Sequence, residues 1–292
     1  MWAKSGLDVT LLARGSHLDA IQTSGLTVKS IYGDSQVKIK AISDPEKMGE
    51  IDLVFFATKS WQLEEAIKSV APHVSSTAMV MGIQNGVESA DELAARFPAS
   101  NVLGATCRIV SYIEAPGVIH HMGVPPTISF GELKGNLSDR VLQLQPQLNL
   151  GESLTVEASA NIQSDIWQKF IFFAPVSGVG SVTRSPVGEF RKIPETRRLL
   201  QAAIEEVHTL SIAQKIPLPI DSVTNTLKFI DSMPVDMTSS MQRDFEDGRL
   251  SELEYLSGAV CKMGKRFGVE TPANSFIYAA LRPQEDKVRA RY

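Results

Sequence analysis

Three short apolar runs, each closed by polar turn residues, restrict this chain more than any other feature. They are residues 9–13 (VTLLA), 51–58 (IDLVFFAT) and 77–83 (TAMVMGI), followed by Arg14-Gly15-Ser16-His17, by Lys59-Ser60 and by Gln84-Asn85-Gly86. Unbroken apolar runs of this length suit strands covered on both faces. Helical patterns at residues 62–70 and 88–96 follow the second and third runs. This alternation is the sequence form of an open parallel sheet with helices on both faces. Residues 25–30 (GLTVKS) and 36–42 (QVKIKAI) alternate around Tyr32-Gly33-Asp34, which predicts an antiparallel hairpin inserted at the sheet edge.

Beyond residue 101 the pattern shortens to strands at 118–121 and 127–131, a helix over 138–148 and a strand at 154–156. From residue 161 no strand is expected. Amphipathic helices are predicted at 195–215, 221–232 and 250–267, the last with Ser251 as N-cap, Glu254 completing a capping box and Gly268 as its stop. Two domains follow, an α/β domain over 1–160 and an all-α domain over 161–292. The charged tail after Pro283, QEDKVRARY, is expected to fray.

With 43% hydrophobic and 21% charged residues among 292, and a net charge of −4, the chain has the make-up of a globular protein with no general attraction for nucleic acid or anionic membrane. Cys107 and Cys261 are far apart and in no metal spacing, so two reduced thiols in a cytoplasmic setting are expected, and the five histidines suggest no metal site. The longest apolar run, 170–182, is broken by Pro175 and falls short of the roughly 18 residues a membrane span needs. The first residues, MWAKSGLDVTLLAR, lack the apolar core of a signal peptide.

Lys169 is the candidate catalytic residue. Ile162, Ile166, Lys169 and Phe173 share one helical stripe, and Trp167, Phe170, Ile171, Phe172 and Ala174 make the other faces largely apolar. An ammonium among such residues loses hydration worth several kcal/mol unless paired, and the same desolvation eases proton exchange. Snorkelling of the long stem is the competing account, and the residues alone leave the two open. The segment Ser177-Gly178-Val179-Gly180-Ser181 is read as a place where glycines allow unusual backbone geometry and the close approach of a ligand.

In an open parallel sheet, ligands gather at the carboxyl ends of the strands, so Arg14, Lys59 and Asn85 become candidate cofactor residues. An arginine after the second strand of a dinucleotide-binding sheet suits a ribose 2′-phosphate, although Arg14 could equally be a solvated strand end.

Lys59 within ATKSWQ, Gln84-Asn85-Gly86, Trp167-x-Lys169 and the run Ser239-Ser240-Met241-x-x-Asp244-x-x-x-Gly248-Arg249-x-x-Glu252 resemble the ketopantoate reductases (2-dehydropantoate 2-reductases) over essentially the whole chain. The resemblance implies a Rossmann-like domain, followed by an all-α domain of the 6-phosphogluconate dehydrogenase C-terminal-like type. It also implies NADPH-dependent reduction of a 2-oxo acid to a 2-hydroxy acid, in pantothenate biosynthesis. By that resemblance Lys169 is the general acid and Glu252 its carboxylate neighbour. Ser240 and Ser177 fall at substrate positions, Asn85 lies near the nicotinamide, and Arg14 reads the 2′-phosphate. Several apolar helix faces are compatible with a homodimer.

Two departures bear on this. The family opens with a strand and a Gly-x-Gly-x-x-Gly loop that holds the pyrophosphate, and this sequence shows neither, so weak NADPH binding by this chain is expected. Asparagines expected four and eight residues after Lys169 are Phe173 and Ser177 here, and a third is Val187. Phenylalanine offers no hydrogen bond to a polar substrate. The alternatives are a truncated, non-catalytic helical interaction protein and a related hydroxy-acid dehydrogenase with another substrate.

Overall fold

The computed structural model describes residues 1–291, and the chain divides into two compact units. The first comprises Met1–Thr58, Gln62–Gln84 and Ala90–Ile162; the second comprises Lys59–Trp61, Asn85–Ser89 and Gln163–Tyr292. The loops that follow the two clearest apolar strands therefore group with the helical residues.

In chain order the first unit contains β1 (Thr10–Leu12), α1 (Gly15–Ser24), β2 (Leu26–Ser30), β3 (Ser35–Val37), β4 (Lys40–Ile42), β5 (Leu53–Phe56), α2 (Leu63–Val70) and β6 (Met79–Gly82). It continues with α3 (Ser89–Ala94), β7 (Val102–Ala115), β8 (Val118–Glu132), α4 (Asp139–Leu148) and β9 (Thr155–Ala158). Seven strands form one sheet in the order β3-β2-β8-β7-β6-β5, with β9 also on β8. Strands β5, β6 and β7 run parallel, as the apolar runs predict. Successive residues of β6 point to opposite faces. Val80 joins a cluster with Phe56, Leu63, Ile67 and Leu93, whereas Met81 joins Leu103, Phe130, Val141 and Val156 on the other face. Both side chains are fully buried, each worth about 1.5–3 kcal/mol of transfer free energy. The sheet is Rossmann-like, covered on both faces.

The N-terminal region differs from expectation in two respects. β1 pairs only with β4, in parallel, making a separate two-stranded sheet, and Leu12 is 42% exposed. Leu11 and Ala13 pack in a small cluster with Leu18 and Ile21 of α1, Ala41, Leu26 and Ile39, while Leu12 faces out, so β1 is not buried on both sides. The hairpin of β2 and β3 forms as predicted, but β4 leaves it to pair with β1.

The short strands expected at 118–121 and 127–131 are parts of one strand, β8, in a long antiparallel hairpin with β7, and the strand expected at 154–156 is β9. Residues 118–121 of β8 pair with β2, and 127–130 pair with β9. Between these ladders residues 123–126 pair with neither β7 nor a neighbour, so the missing amides of Pro125 and Pro126 cost no ladder hydrogen bond. That gap imitates a turn in the sequence.

The second unit is helical: α5 (Ile162–Thr183), α6 (Val187–Phe190), α7 (Pro194–Ala213), α8 (Ser222–Ser232), α9 (Ser240–Glu246), α10 (Ser257–Phe267) and α11 (Pro272–Arg289). Three expectations are corrected here. The stretch 177–181 is helical, continuing α5 beyond Pro175, and its glycines serve packing: a Cβ on Gly178 would lie 2.8 Å from Ile277 Cγ2, and one on Gly180 2.6 Å from Gln242 Oε1. No capping box forms. Ser251 Oγ accepts from Leu253 N at 3.2 Å, but Glu254 instead bonds Tyr278 and Arg282, and a 3-10 turn, Leu253–Tyr255, precedes α10. Gly268, with φ of 67°, ends α10 as expected. The described part of the tail is not frayed, because α11 continues through Pro283 to Arg289; Tyr292 lies outside the described residues. Within it the fully buried Glu285 accepts from Ser251 N at 3.2 Å, Ser251 Oγ at 2.7 Å and Arg289 at 3.1 Å.

Candidate active site

Lys169 sits in the middle of α5, half-buried between the buried Ile166 and Phe170. Its Nζ donates to Asn85 Oδ1 at 2.9 Å. Asn85 Nδ2 donates to Glu252 Oε2 at 2.8 Å, and Ser60 Oγ donates to Glu252 Oε1 at 2.8 Å. These groups come from four parts of one unit: α5, the loop after β6, Ser60 after β5, and the residue that begins the turn before α10. The orientation of the Asn85 amide follows from chemistry. An ammonium can only donate and a carboxylate can only accept, so the amide oxygen faces Lys169 and the NH2 faces Glu252. Asn85 thus links Lys169 to Glu252.

Lys169 Nζ also lies 5.7 Å from the centre of the Phe173 ring, one turn further along α5. Phe173 is 6.5 Å from Phe172, whose ring meets Phe229 edge-on at 5.1 Å. Ser177 is fully buried, and its hydroxyl has no hydrogen-bond partner. Val187 is buried, its amide bonded to Met237 O at 2.9 Å.

The spacing of the run from Ser239 to Glu252 has a structural meaning at almost every position. Ser239 caps α9 by accepting from Gln242 N at 3.0 Å, which leaves Ser240, half-buried, as the first helical residue. Met241 is core. The buried Asp244 pairs with Lys59 Nζ at 3.1 Å and with Arg249 Nε at 3.1 Å. Gly248, with φ of 62°, turns the chain so that Arg249 reaches back to Asp244, and Glu252 follows. Lys59 is therefore held by Asp244, apart from the trio of Lys169, Asn85 and Glu252. Ser60 and Asp244 are the site members that sequence reasoning gave no role, although both stand inside quoted motifs.

In the sheet unit, Arg14 precedes α1 at the end of β1, exposed, with Nη1 3.8 Å from Glu65 Oε1. At the ends of β5 and β6, Thr58 Oγ1 and Gln84 Oε1 are buried without a partner, while Gln84 Nε2 donates to Phe56 O and Thr58 O. Unsatisfied polar atoms at strand carboxyl ends fit the hydroxyls and amide of a dinucleotide. Among the described residues no cluster of His, Cys, Asp and Glu could hold a metal, and no helix is long and apolar enough to cross a membrane.

A Rossmann-like sheet unit joined to an all-α unit, with lysine, amide and carboxylate in one hydrogen-bonded row, defines the class of molecule to compare. Residues 1–135 match the family described as "Ketopantoate reductase PanE/ApbA", and residues 161–285 match "Ketopantoate reductase PanE/ApbA C terminal". The chain belongs to the ketopantoate reductase family, and it is an oxidoreductase acting on CH–OH groups. It is 29% identical to the "Uncharacterized oxidoreductase YkpB" of Bacillus subtilis, covering 97% of this chain and 93% of that one. It is 28% identical to the 2-dehydropantoate 2-reductase of Pyrococcus abyssi, covering 97% and 92%. Among solved structures, a PanE/ApbA family ketopantoate reductase from Ralstonia eutropha superposes with a TM-score of 0.89 at 28% identity, covering 99% of this chain and 94% of that one. A D-mandelate dehydrogenase solved with NADH and anilino(oxo)acetate shares the fold, with a TM-score of 0.88 at 22% identity and coverage of 99% and 94%.

Proposed function

We propose that this protein reduces a 2-oxo acid to the 2-hydroxy acid with NADPH, and that Lys169 is the proton donor. The observation that carries this reading is the half-buried Lys169 ammonium, bonded to Asn85 Oδ1 at 2.9 Å, with the buried Glu252 carboxylate behind that amide. When bound, the nicotinamide supplies the hydride. The chain's own residues manage the oxygen. As the carbonyl carbon becomes tetrahedral, its oxygen gathers negative charge, and an ammonium beside it stabilises that charge and delivers the proton. The neutral amine left behind is reprotonated from solvent. Asn85 and Glu252 keep Nζ in place and favour its charged form.

Arg14 is assigned to the ribose 2′-phosphate, since a guanidinium matches a phosphate through paired hydrogen bonds. Lys59, held by Asp244, is assigned to the cofactor's phosphates. Asn85, expected beside the nicotinamide, has both ends of its amide engaged within the protein. Ser240 and Ser177 are assigned to the substrate. Phe173, close to Lys169, favours an apolar substituent on the oxo acid over a hydroxylated one such as ketopantoate.

The reading is tested by following NADPH oxidation with a panel of 2-oxo acids that differ only in the polarity of the side chain. Turnover should be highest for apolar side chains. No turnover with any 2-oxo acid, under conditions where NADPH binds, would refute it.

A further inference from the structure

Ser60 takes no part in the chemistry above, yet it is buried in the same unit and hydrogen-bonded to its carboxylate. Its Oγ has two acceptors in reach, Glu252 Oε1 at 2.8 Å and the Asn85 carbonyl oxygen at 3.2 Å. One hydroxyl has one proton, and the shorter, charged acceptor takes the stronger share. Glu252 is almost fully buried, so each of its oxygens needs a donor: Asn85 Nδ2 serves Oε2 and Ser60 serves Oε1.

We propose that Ser60 is a positioning residue for Lys169, acting through Glu252 and Asn85. The physical chain is short. With Oε1 held, the Glu252 carboxylate can present Oε2 to Asn85 in one geometry only. That contact fixes the amide with its oxygen toward Lys169, and the amide oxygen holds the ammonium. Without the hydroxyl, Oε1 is left buried and unpaired, and the carboxylate must move or draw another donor. The donor already bonded to the carboxylate is the Asn85 amide, and its displacement takes Oδ1 away from Nζ. The meaning of this row for catalysis rests on the reading of Lys169 as proton donor; the row itself does not.

The test therefore uses a readout that needs no turnover. Acylation of lysines by acetic anhydride, located by peptide mass spectrometry, reports how firmly each ammonium is held. Ser60→Ala should raise the Lys169 rate at least about threefold relative to the exposed Lys192, because an amine that loses the Asn85 acceptor is less firmly held and more open to the reagent. Ser60→Cys, which keeps the size and a weak donor, should fall between wild type and Ser60→Ala. In a Glu252→Gln background, Ser60→Ala should add nothing further, since its effect passes through the carboxylate. An unchanged Lys169 rate in Ser60→Ala, or additive effects in the double variant, would overturn the proposal. A general loosening would raise Lys192 equally and would also count against it. Turnover separates the two claims: if Lys169 is the proton donor, Ser60→Ala should lower kcat by about tenfold while KM stays within about twofold. If the acylation pattern holds but Lys169→Ala keeps full turnover, the proton-donor reading fails and the positioning role of Ser60 stands.

Discussion

Glu285 closes over Ser251: its buried Oε2 accepts both the Ser251 amide, at 3.2 Å, and the Ser251 hydroxyl, at 2.7 Å, across 34 residues of sequence. Ser251 precedes Glu252 directly, so the last helix of the protein anchors the backbone from which the site carboxylate projects.

Glu285→Ala should therefore cost stability. It strips the acceptor from a buried amide and a buried hydroxyl and leaves Arg289 without its partner, a loss of about 3 kcal/mol. Urea unfolding followed by circular dichroism checks this. A midpoint equal to wild type would show that the anchor carries no load.

A second prediction concerns cofactor choice. If Arg14 reads the 2′-phosphate as proposed, Arg14→Glu should lower the use of NADPH relative to NADH, because a carboxylate repels the 2′-phosphate that a guanidinium attracts. The ratio of kcat/KM for the two cofactors measures this, and an unchanged ratio would remove Arg14 from the cofactor site.

The third is a dependence of stability on pH. Glu132 accepts from Arg140 Nε at 2.7 Å and Ser138 Oγ at 2.6 Å, and the Arg140 hydrogen bond holds its carboxyl below the usual carboxylate range against the opposing effect of burial. A carboxyl with a depressed folded value gives stability that is fully present above its unfolded value, about 4.3, and lost as pH falls through the folded one. Glu132→Gln should thus lower the melting temperature at neutral pH. The gap from wild type should close as the pH is taken below about 4. A gap of constant size across that range would mean that the charge contributes nothing.

Much of this was legible in the sequence, for reasons of periodicity. β5 and β6 are apolar because both faces are covered, and such runs are visible without any partner. The helices of the second unit show their stripes for the same reason. What sequence could not show depended on contacts between distant residues. The glycines at 178 and 180 read as a loop, yet they permit close packing against Ile277 and Gln242, and nothing local distinguishes the two uses. Glu254 satisfied the spacing of a capping box but was taken by Tyr278 and Arg282, partners 24 and 28 residues on. In the sequence β8 reads as two strands, 118–121 and 127–131, because the gap between its two ladders is a property of β2, β7 and β9. Within the site, Lys169 and Glu252 were recognisable from their motifs. That an asparagine would stand between them, and a serine behind them, needed the folded chain.

The most direct test of the account is Lys169→Ala, with single-turnover reduction of a 2-oxo acid by NADPH measured beside the affinity for NADPH alone. A positioned proton donor contributes roughly 10²-fold or more, so the chemical step should slow by that amount while cofactor affinity stays within about threefold. A chemical step within about threefold of wild type, with any loss confined to thermal stability, would mean that Lys169 only lies along apolar surface with its charge in water, and would contradict the mechanism.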